Sequence, residues 1–335
     1  MNRRGIPLSV GTLNFSWEAN AHNQKKGNEN FSGRDYKSAN AILKAEPLPS
    51  VVLVQEMSVN KLNFADKNTI PLGVEKLFRK AYKCVAHRFI EVEDTWFGSM
   101  VLVSTSLTDT SSTNQRYSFV DLSETDDVSK SCYSDFHQIP DWPFSLKGGR
   151  LLAVAMMVDN KQPDDKKFPG QVREAQKKKP IMILCSAHSA HQIQWNNLNT
   201  TWIVNTVVNA TIRAYNTITQ SKSDFTECGI VFGGDLNTTK DKNRCDWGGK
   251  TVKLTVEEKE VKLYKLSGKN ANFKTLRKEK NDYPRDWIFS TQGNPKYEGV
   301  YSETGSDHYL VMAQTMMRAP SDDTMSLMPF SQPKT

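Results

Sequence analysis

Two strings of this chain carry side chains suited to chemistry on a phosphoester. The run VFGGDLN ends on Asp235, Leu236 and Asn237, and SDH near the C-terminal end supplies Asp307 and His308 beside Ser306. In the first, an apolar strand (Gly229, Ile230, Val231, Phe232) stops at glycines and presents a carboxylate and an amide one residue apart, as an active-site strand end would. The second sets another carboxylate beside an imidazole. In-line attack on a phosphodiester concentrates negative charge on the phosphorus oxygens. It therefore calls for a metal ion and imidazolium-type donors to meet that charge, and a carboxylate to prepare the water. The chain holds further residues of these types in Asn14, Glu56, His188 and Asp286, and the expected activity is that of a metal-dependent phosphodiesterase.

These side chains need strands to hold them. A first strand is expected over about Leu8 to Asn14, and a helix from Arg34 to Ala45 carries Tyr36, Ala39, Ile42 and Leu43 near helical spacing before Pro47 and Pro49 end it. VVLVQEM, Val51 to Met57, is continuously apolar, which predicts burial on both faces and delivers Glu56 at its C-terminal end. Further strands are expected over Tyr82 to Ile90, Gly98 to Ser104 and Arg150 to Val158. Ile181 to Leu184 is another, with His188 just beyond it. A polar, serine-rich stretch (Thr105 to Ser134) and a charged one (Lys161 to Lys179) read as insertions, the second as a solvated loop. A helix is expected around Trp195, Leu198, Trp202 and Ile212, its tryptophans packing in the core. Thr251 to Leu263 alternates as a hairpin with its turn near Glu257 to Lys259. Arg285 to Thr291 is a strand carrying Asp286, and Tyr309 to Ala313 is the last strand. No repeat or Pro/Gly linker divides the chain, so one domain over residues 1–318 is expected, followed by a disordered polar tail over 319–335.

At 335 residues the chain can bury a substantial core without staples. Its five cysteines (Cys84, Cys132, Cys185, Cys228, Cys245) are odd in number and include no CxxC, so reduced thiols in a cytosolic or nuclear protein are expected over a disulfide framework. No apolar stretch suits a signal peptide or a membrane span. The net charge of +7 is localised: Lys240 to Lys280 holds 13 Lys/Arg against 6 Asp/Glu, a difference of +7. Such a segment, directly after a catalytic motif, attracts a polyanion, although a solvated lysine-rich hairpin would read the same way.

The ordered set TLN at Asn14, QE at Gln55 and Glu56, SAH at His188, GDLN at Asp235 to Asn237, DWIF at Asp286 and SDH at Asp307 and His308 resembles the endonuclease/exonuclease/phosphatase superfamily. The resemblance covers Leu8 to Ala313, and its weight lies in the order and strand-end placement of the strings, each short enough to occur by chance. It implies an α+β four-layer sandwich of the deoxyribonuclease I type, two mixed β-sheets face to face with helices outside and the site at one edge. It further implies Mg²⁺ or Mn²⁺ held by Glu56 with Asn14 and Asp307, hard oxygen donors for a hard cation. Asp235 would prepare the water with Asn237 positioning it. His308, held by Asp286, and His188 would contact the phosphate from two sides. Without the metal the crowded carboxylates leave the protein inactive.

Three positions depart from the common pattern: Ser186 stands where many members have asparagine, Ser16 where abasic-site endonucleases have an acid, and Trp287 follows Asp286. Each site residue also has an ordinary reading alone. Glu56 could be a solvent-facing strand end, Asp235, Ser306 and Asp307 turn or cap residues, and His188 and His308 satisfied surface histidines. His191 lacks a matching Cys/His pair, which excludes a zinc reading. Jointly the residues favour catalysis. Lys147, Arg150, the run Lys177 to Lys179 and the basic segment favour DNA or RNA as substrate. The alternatives are a phosphatase on inositol or other soluble polyphosphates, and a non-catalytic nucleic-acid-binding pseudoenzyme. Retention of Glu56, Asp235, Asn237, Asp286, Asp307 and His308 argues against the last.

Overall fold

The computed structural model describes residues 6–16, 31–60, 70–92, 95–108, 116–122, 151–159, 180–188, 229–236, 251–256, 259–266, 285–292 and 296–317. In chain order the elements are β1 (Ile6–Asn14), α1 (Gly33–Leu43), β2 (Val51–Asn60), α2 (Ile70–Leu77), β3 (Tyr82–Val92), β4 (Thr95–Ser104) and α3 (Thr105–Thr108). There follow β5 (Arg116–Asp121), β6 (Leu151–Asp159), β7 (Pro180–His188), β8 (Gly229–Asp235), β9 (Thr251–Val256), β10 (Lys259–Lys265), β11 (Asp286–Ser290), β12 (Lys296–Tyr301) and β13 (Leu310–Met317).

The strands form two mixed sheets, one of six in the order β12-β13-β1-β2-β4-β3 and one of seven in the order β5-β6-β7-β8-β11-β10-β9. Each has one parallel neighbour pair at its centre, β1 with β2 and β7 with β8. The expected two-sheet sandwich is thus present. Strand β2 shows why its sequence reads as unbroken apolar. Val51 and Leu53 enter a core shared with Leu152, Val154, Leu184, Val231 and Ile288 of the other sheet, while Val52 and Val54 face a second core with Ile42, Val74 and Phe78 from the helices. In the seven-stranded sheet Val231 and Ile288 face the shared core, and their neighbours Phe232 and Phe289, fully buried on the opposite face, pack at 6.2 Å. That sheet is therefore covered on both faces as well.

Helix α1 starts on a capping box: the Ser32 hydroxyl accepts from the Asp35 amide while Asp35 accepts from the Ser32 amide at 2.7 Å. Asp35 is completely buried and thereby satisfied. The structure departs from the sequence expectation in several places. The polar stretch after Ser104 contains α3 and β5, and β5 pairs with β6 as an edge strand whose residues 117–121 are only half-buried, which is why its sequence looks like an insertion. Helix α2 and the edge strand β12 are further elements beyond those expected, and β2 continues past Glu56 to Asn60. The loop expected over 161–179, the helix around Trp195 to Ile212 and the tail 319–335 lie outside the described residues.

Candidate active site

Three site residues stand in a row across the end of the seven-stranded sheet. Asp235 closes β8; it is in register with His188, which closes the parallel β7, and with Asp286, which opens the antiparallel β11. The preceding glycine makes the row possible. Gly234 has φ of 151°, and a Cβ there would sit 1.8 Å from the Ala187 carbonyl oxygen, so only glycine lets β8 lie this close to β7. From the six-stranded sheet, Asn14 ends β1 beside Gln55 of β2, and the turn between β12 and β13 brings Ser306, Asp307 and His308.

Asp235 is the meeting point. Its Oδ2 accepts from the Asn14 Nδ2 at 3.0 Å and lies 3.8 Å from the His188 Nε2 and 3.7 Å from the His308 Nε2. The His188 Nε2 is also 3.3 Å from the Glu56 Oε1. Behind His308, its Nδ1 pairs with the Asp286 Oδ2 at 2.8 Å, fixing the ring so that Nε2 faces the site. The expected Asp286 to His308 pair is therefore in place, while Trp287 stacks on Phe289 at 6.2 Å on the other face of β11.

Two residues hold a left-handed backbone conformation here, and neither is glycine. Glu56 has φ of 51° and sits where the pairing of β2 with β4 shifts register between Val54 and Met57, a bulge that re-aims its carboxylate within a continuing strand. Ser16 has φ of 57°. Its amide donates to the Asn14 Oδ1 at 2.8 Å and its hydroxyl to the Asp307 carboxylate, while the Ser306 hydroxyl donates to the Asn14 carbonyl oxygen at 2.6 Å. The SDH turn is itself tied down: the His308 amide donates to the Ser306 hydroxyl at 3.0 Å, and Thr304 donates to the carbonyls of Ser306 and His308.

The electrostatics of His308 follow from its neighbours. Burial favours the neutral ring, but the carboxylates of Asp286, Asp235 and Asp307 together with the hydrogen bond the ring donates to Asp286 outweigh it and raise the pKa from 6.5 to about 10. The ring is thus an imidazolium at neutral pH, a hydrogen-bond donor.

Two groups could hold a metal. Asp235, Asp286 and His308, all buried, place ligand atoms within 4.8 Å of one another. The Asp286 to His308 hydrogen bond, however, engages the Nδ1 of the ring and accounts for part of that closeness. Glu56, Asn14 and Asp307 offer only oxygen donors. The Glu56 side chain is 22% exposed, and the Asn14 Oδ1, which accepts one amide hydrogen, keeps a second lone pair. That donor set fits a hard divalent cation.

Of the residues singled out from sequence, Asn14, Glu56, His188, Asp235, Asp286, Asp307 and His308 come together at this edge; Asn237, Lys147 and Arg150 lie outside the described residues. Sequence reasoning overlooked a buried layer beneath them. The Thr12 hydroxyl donates to the Gln55 Oε1 at 3.3 Å, and the Gln55 Nε2 donates to the Ser186 hydroxyl at 2.8 Å, so one fully buried chain of polar groups joins β1 and β2 to β7 across the two sheets. Its signal was on the page: Thr12, Gln55 and Ser186 are polar residues within apolar strands, each one or two positions before a site residue. Ser186, a departure from the common pattern, is thus a bridging residue.

No family model and no curated protein matches the chain. Solved structures do. An endonuclease/exonuclease/phosphatase from Beutenbergia cavernae is similar at 13% identity and a TM-score of 0.48, over 93% of this chain and 72% of that one. ANGEL2, a 2′,3′-cyclic phosphatase, matches at 12% identity and 0.48 over 94% of this chain and 96% of its own. The human Nocturnin catalytic domain matches at 12% and 0.45, over 93% and 95%. At this level of similarity the chemistry has to be read from the residues of this chain.

Proposed function

We propose that the chain is a hydrolase of phosphodiester bonds, dependent on Mg²⁺ or Mn²⁺, that acts on DNA or RNA or on their ends. The observation that carries this reading is the single carboxylate of Asp235 flanked by two imidazoles, His188 at 3.8 Å and His308 at 3.7 Å, with Asp286 behind the second. A base between two hydrogen-bond donors can prepare a water and meet the charge that builds on a phosphodiester in hydrolysis. Asp235, steadied by the Asn14 amide, orients a water and takes its proton. His308, kept protonated by Asp286, donates to a non-bridging phosphate oxygen as charge builds there, and His188 reaches the same phosphate from the β7 side. Glu56, Asn14 and Asp307 would hold the cation, which when bound neutralises phosphate charge as a Lewis acid. Asn237, one residue past Leu236, would help place the water, and Lys147 and Arg150 would draw in the backbone. The domain would span residues 1–318.

The excess of Lys/Arg over Lys240 to Lys280 supports a nucleic acid over an uncharged headgroup. A labelled panel of single- and double-stranded DNA and RNA together with inositol phosphates, incubated with Mg²⁺, Mn²⁺ or chelator, tests the assignment. Metal-dependent cleavage of the oligonucleotides is expected. Turnover of inositol phosphates alone would replace the nuclease by a phosphatase, and metal-independent binding with no turnover would leave a binding platform.

A further inference from the structure

Helix α1 begins at the rim of the site. A Cβ on Gly305 would lie 2.0 Å from the Arg34 carbonyl oxygen, and the Gly305 amide donates to the Ser38 hydroxyl at 3.0 Å, so the first turn of α1 rests against the SDH turn. From there the helix runs on for about 15 Å. Its exposed face carries Arg34, Lys37 and, at the cap, Lys44, spaced to lie on one side. On that side Asn40 accepts from the Arg79 guanidinium at 3.3 Å, which joins the stripe to a second exposed group, Lys76, Arg79, Lys80 and Lys83, after and around the end of α2.

A solvated helix face usually mixes signs, and cations in a last helical turn favour the dipole. Those ordinary reasons cover Lys44 and Lys76, and the charge though not the backbone of Arg79 and Lys80, but not Arg34 or Lys37. Arg34 stands in the first turn, where a cation opposes the dipole. Arg79 and Lys80 are consecutive left-handed residues, with φ of 53° and 58°, where a chain normally places glycine. The backbone at 79 and 80 would be served better by glycine, and among the described residues these lysines pair with no carboxylate. One turn before Asn40, on the flank of the stripe, stands Tyr36, 51% exposed, its ring braced edge-on by the buried Phe31 at 6.3 Å.

From this we infer a second binding surface, a track along α1 and onto the end of α2 that holds a single-stranded nucleic acid leading into or out of the active site. The cations would meet the phosphates, and Tyr36 would stack a base next to the site. The aromatic interleaved with the cations favours a nucleic acid over an anionic membrane. The substrate class rests on the function proposed above; the binding surface is tested separately from it.

The test measures binding of fluorescent single-stranded DNA and RNA, long enough to run the length of α1, to the full chain in EDTA. It compares wild type, a Lys37→Glu, Lys44→Glu, Lys80→Glu triple variant, and Tyr36→Ala. The triple variant should bind about tenfold or more weakly with a shallower salt dependence, and Tyr36→Ala several-fold more weakly. Cleavage of a dinucleotide, too short to reach the track, should be unchanged in both. An Arg79→Gly, Lys80→Gly variant suits the left-handed backbone, so it should keep its melting temperature and still lose affinity. Oligonucleotide binding equal to wild type in the charge variants would overturn the inference. So would loss of binding to phosphatidylserine vesicles with oligonucleotide binding retained, which would give the surface to a membrane. If wild type cleaves no nucleic acid yet binds it through these residues, the track stands and the catalytic reading falls.

Discussion

At Asp235 two imidazoles, one amide and a neighbouring carboxylate strand meet, and the chemistry of the site turns on how they share charge. The Asp286 to His308 pair makes a prediction about pH. In the folded protein the His308 pKa is about 10, above the 6.5 of a free side chain. Its contribution to stability is thus fully present below pH 6.5 and disappears as pH rises through about 10. Urea midpoints measured in EDTA should fall over that window in wild type and stay flatter in Asp286→Asn. The same variant should lose about 10²- to 10⁴-fold in turnover, because the ring no longer keeps its proton and orientation. Glu56 offers a cleaner separation of function from stability. Glycine at that left-handed position relieves about 1–2 kcal/mol of backbone strain and gives back about 1 kcal/mol in entropy. Glu56→Gly should therefore melt near wild type yet bind Mn²⁺ poorly, as calorimetry would register. Strings such as QE and SDH reveal these residues in the sequence, but the left-handed conformations of Glu56 and Ser16 do not, since they arise from strand pairing that brings distant segments together.

Among the elements, strands buried on both faces are the ones legible in sequence. β2 reads as a continuous apolar run because both cores claim its side chains, and β7 and β8 do because Ile183, Cys185, Ile230 and Phe232 are buried in addition to the residues that enter the shared core. The edge strands β5 and β12 escape notice: with one flank unpaired and residues 117–121 and 299–301 only half-buried, they need no apolar pattern. Helix α2 hides behind Pro71 and Gly73, residues that ordinarily break a helix but that its first turn accommodates. The polar chain Thr12, Gln55 and Ser186 joins elements that sequence cannot pair, and it makes a prediction at this scale. Gln55→Leu removes the donor to the buried Ser186 hydroxyl and one of the two acceptors of the buried Thr12 hydroxyl, which keeps the Leu53 carbonyl, so stability should drop by about 1–3 kcal/mol in urea unfolding. Gly234→Ala should do at least comparable damage, about 1–3 kcal/mol, since its methyl would drive β8 off the Ala187 carbonyl; hydrogen exchange should show β7 and β8 loosened together.

For the molecule as a whole, the two sheets do different work. The six-stranded sheet contributes Asn14, Glu56 and, from the turn before its strand β13, the SDH residues; the seven-stranded sheet contributes His188, Asp235 and Asp286. The site therefore exists only when the sheets are packed, and the shared core of Leu53, Leu184, Val231 and Ile288 is what aligns it. The most direct test is the rate of oligonucleotide hydrolysis by wild type and Asp235→Asn, each in Mg²⁺ and in EDTA. Cleavage by wild type in Mg²⁺, abolished by EDTA and reduced at least about 10³-fold in the folded variant, is the predicted result. Equal rates in EDTA, or an Asp235→Asn protein as fast as wild type, would contradict it.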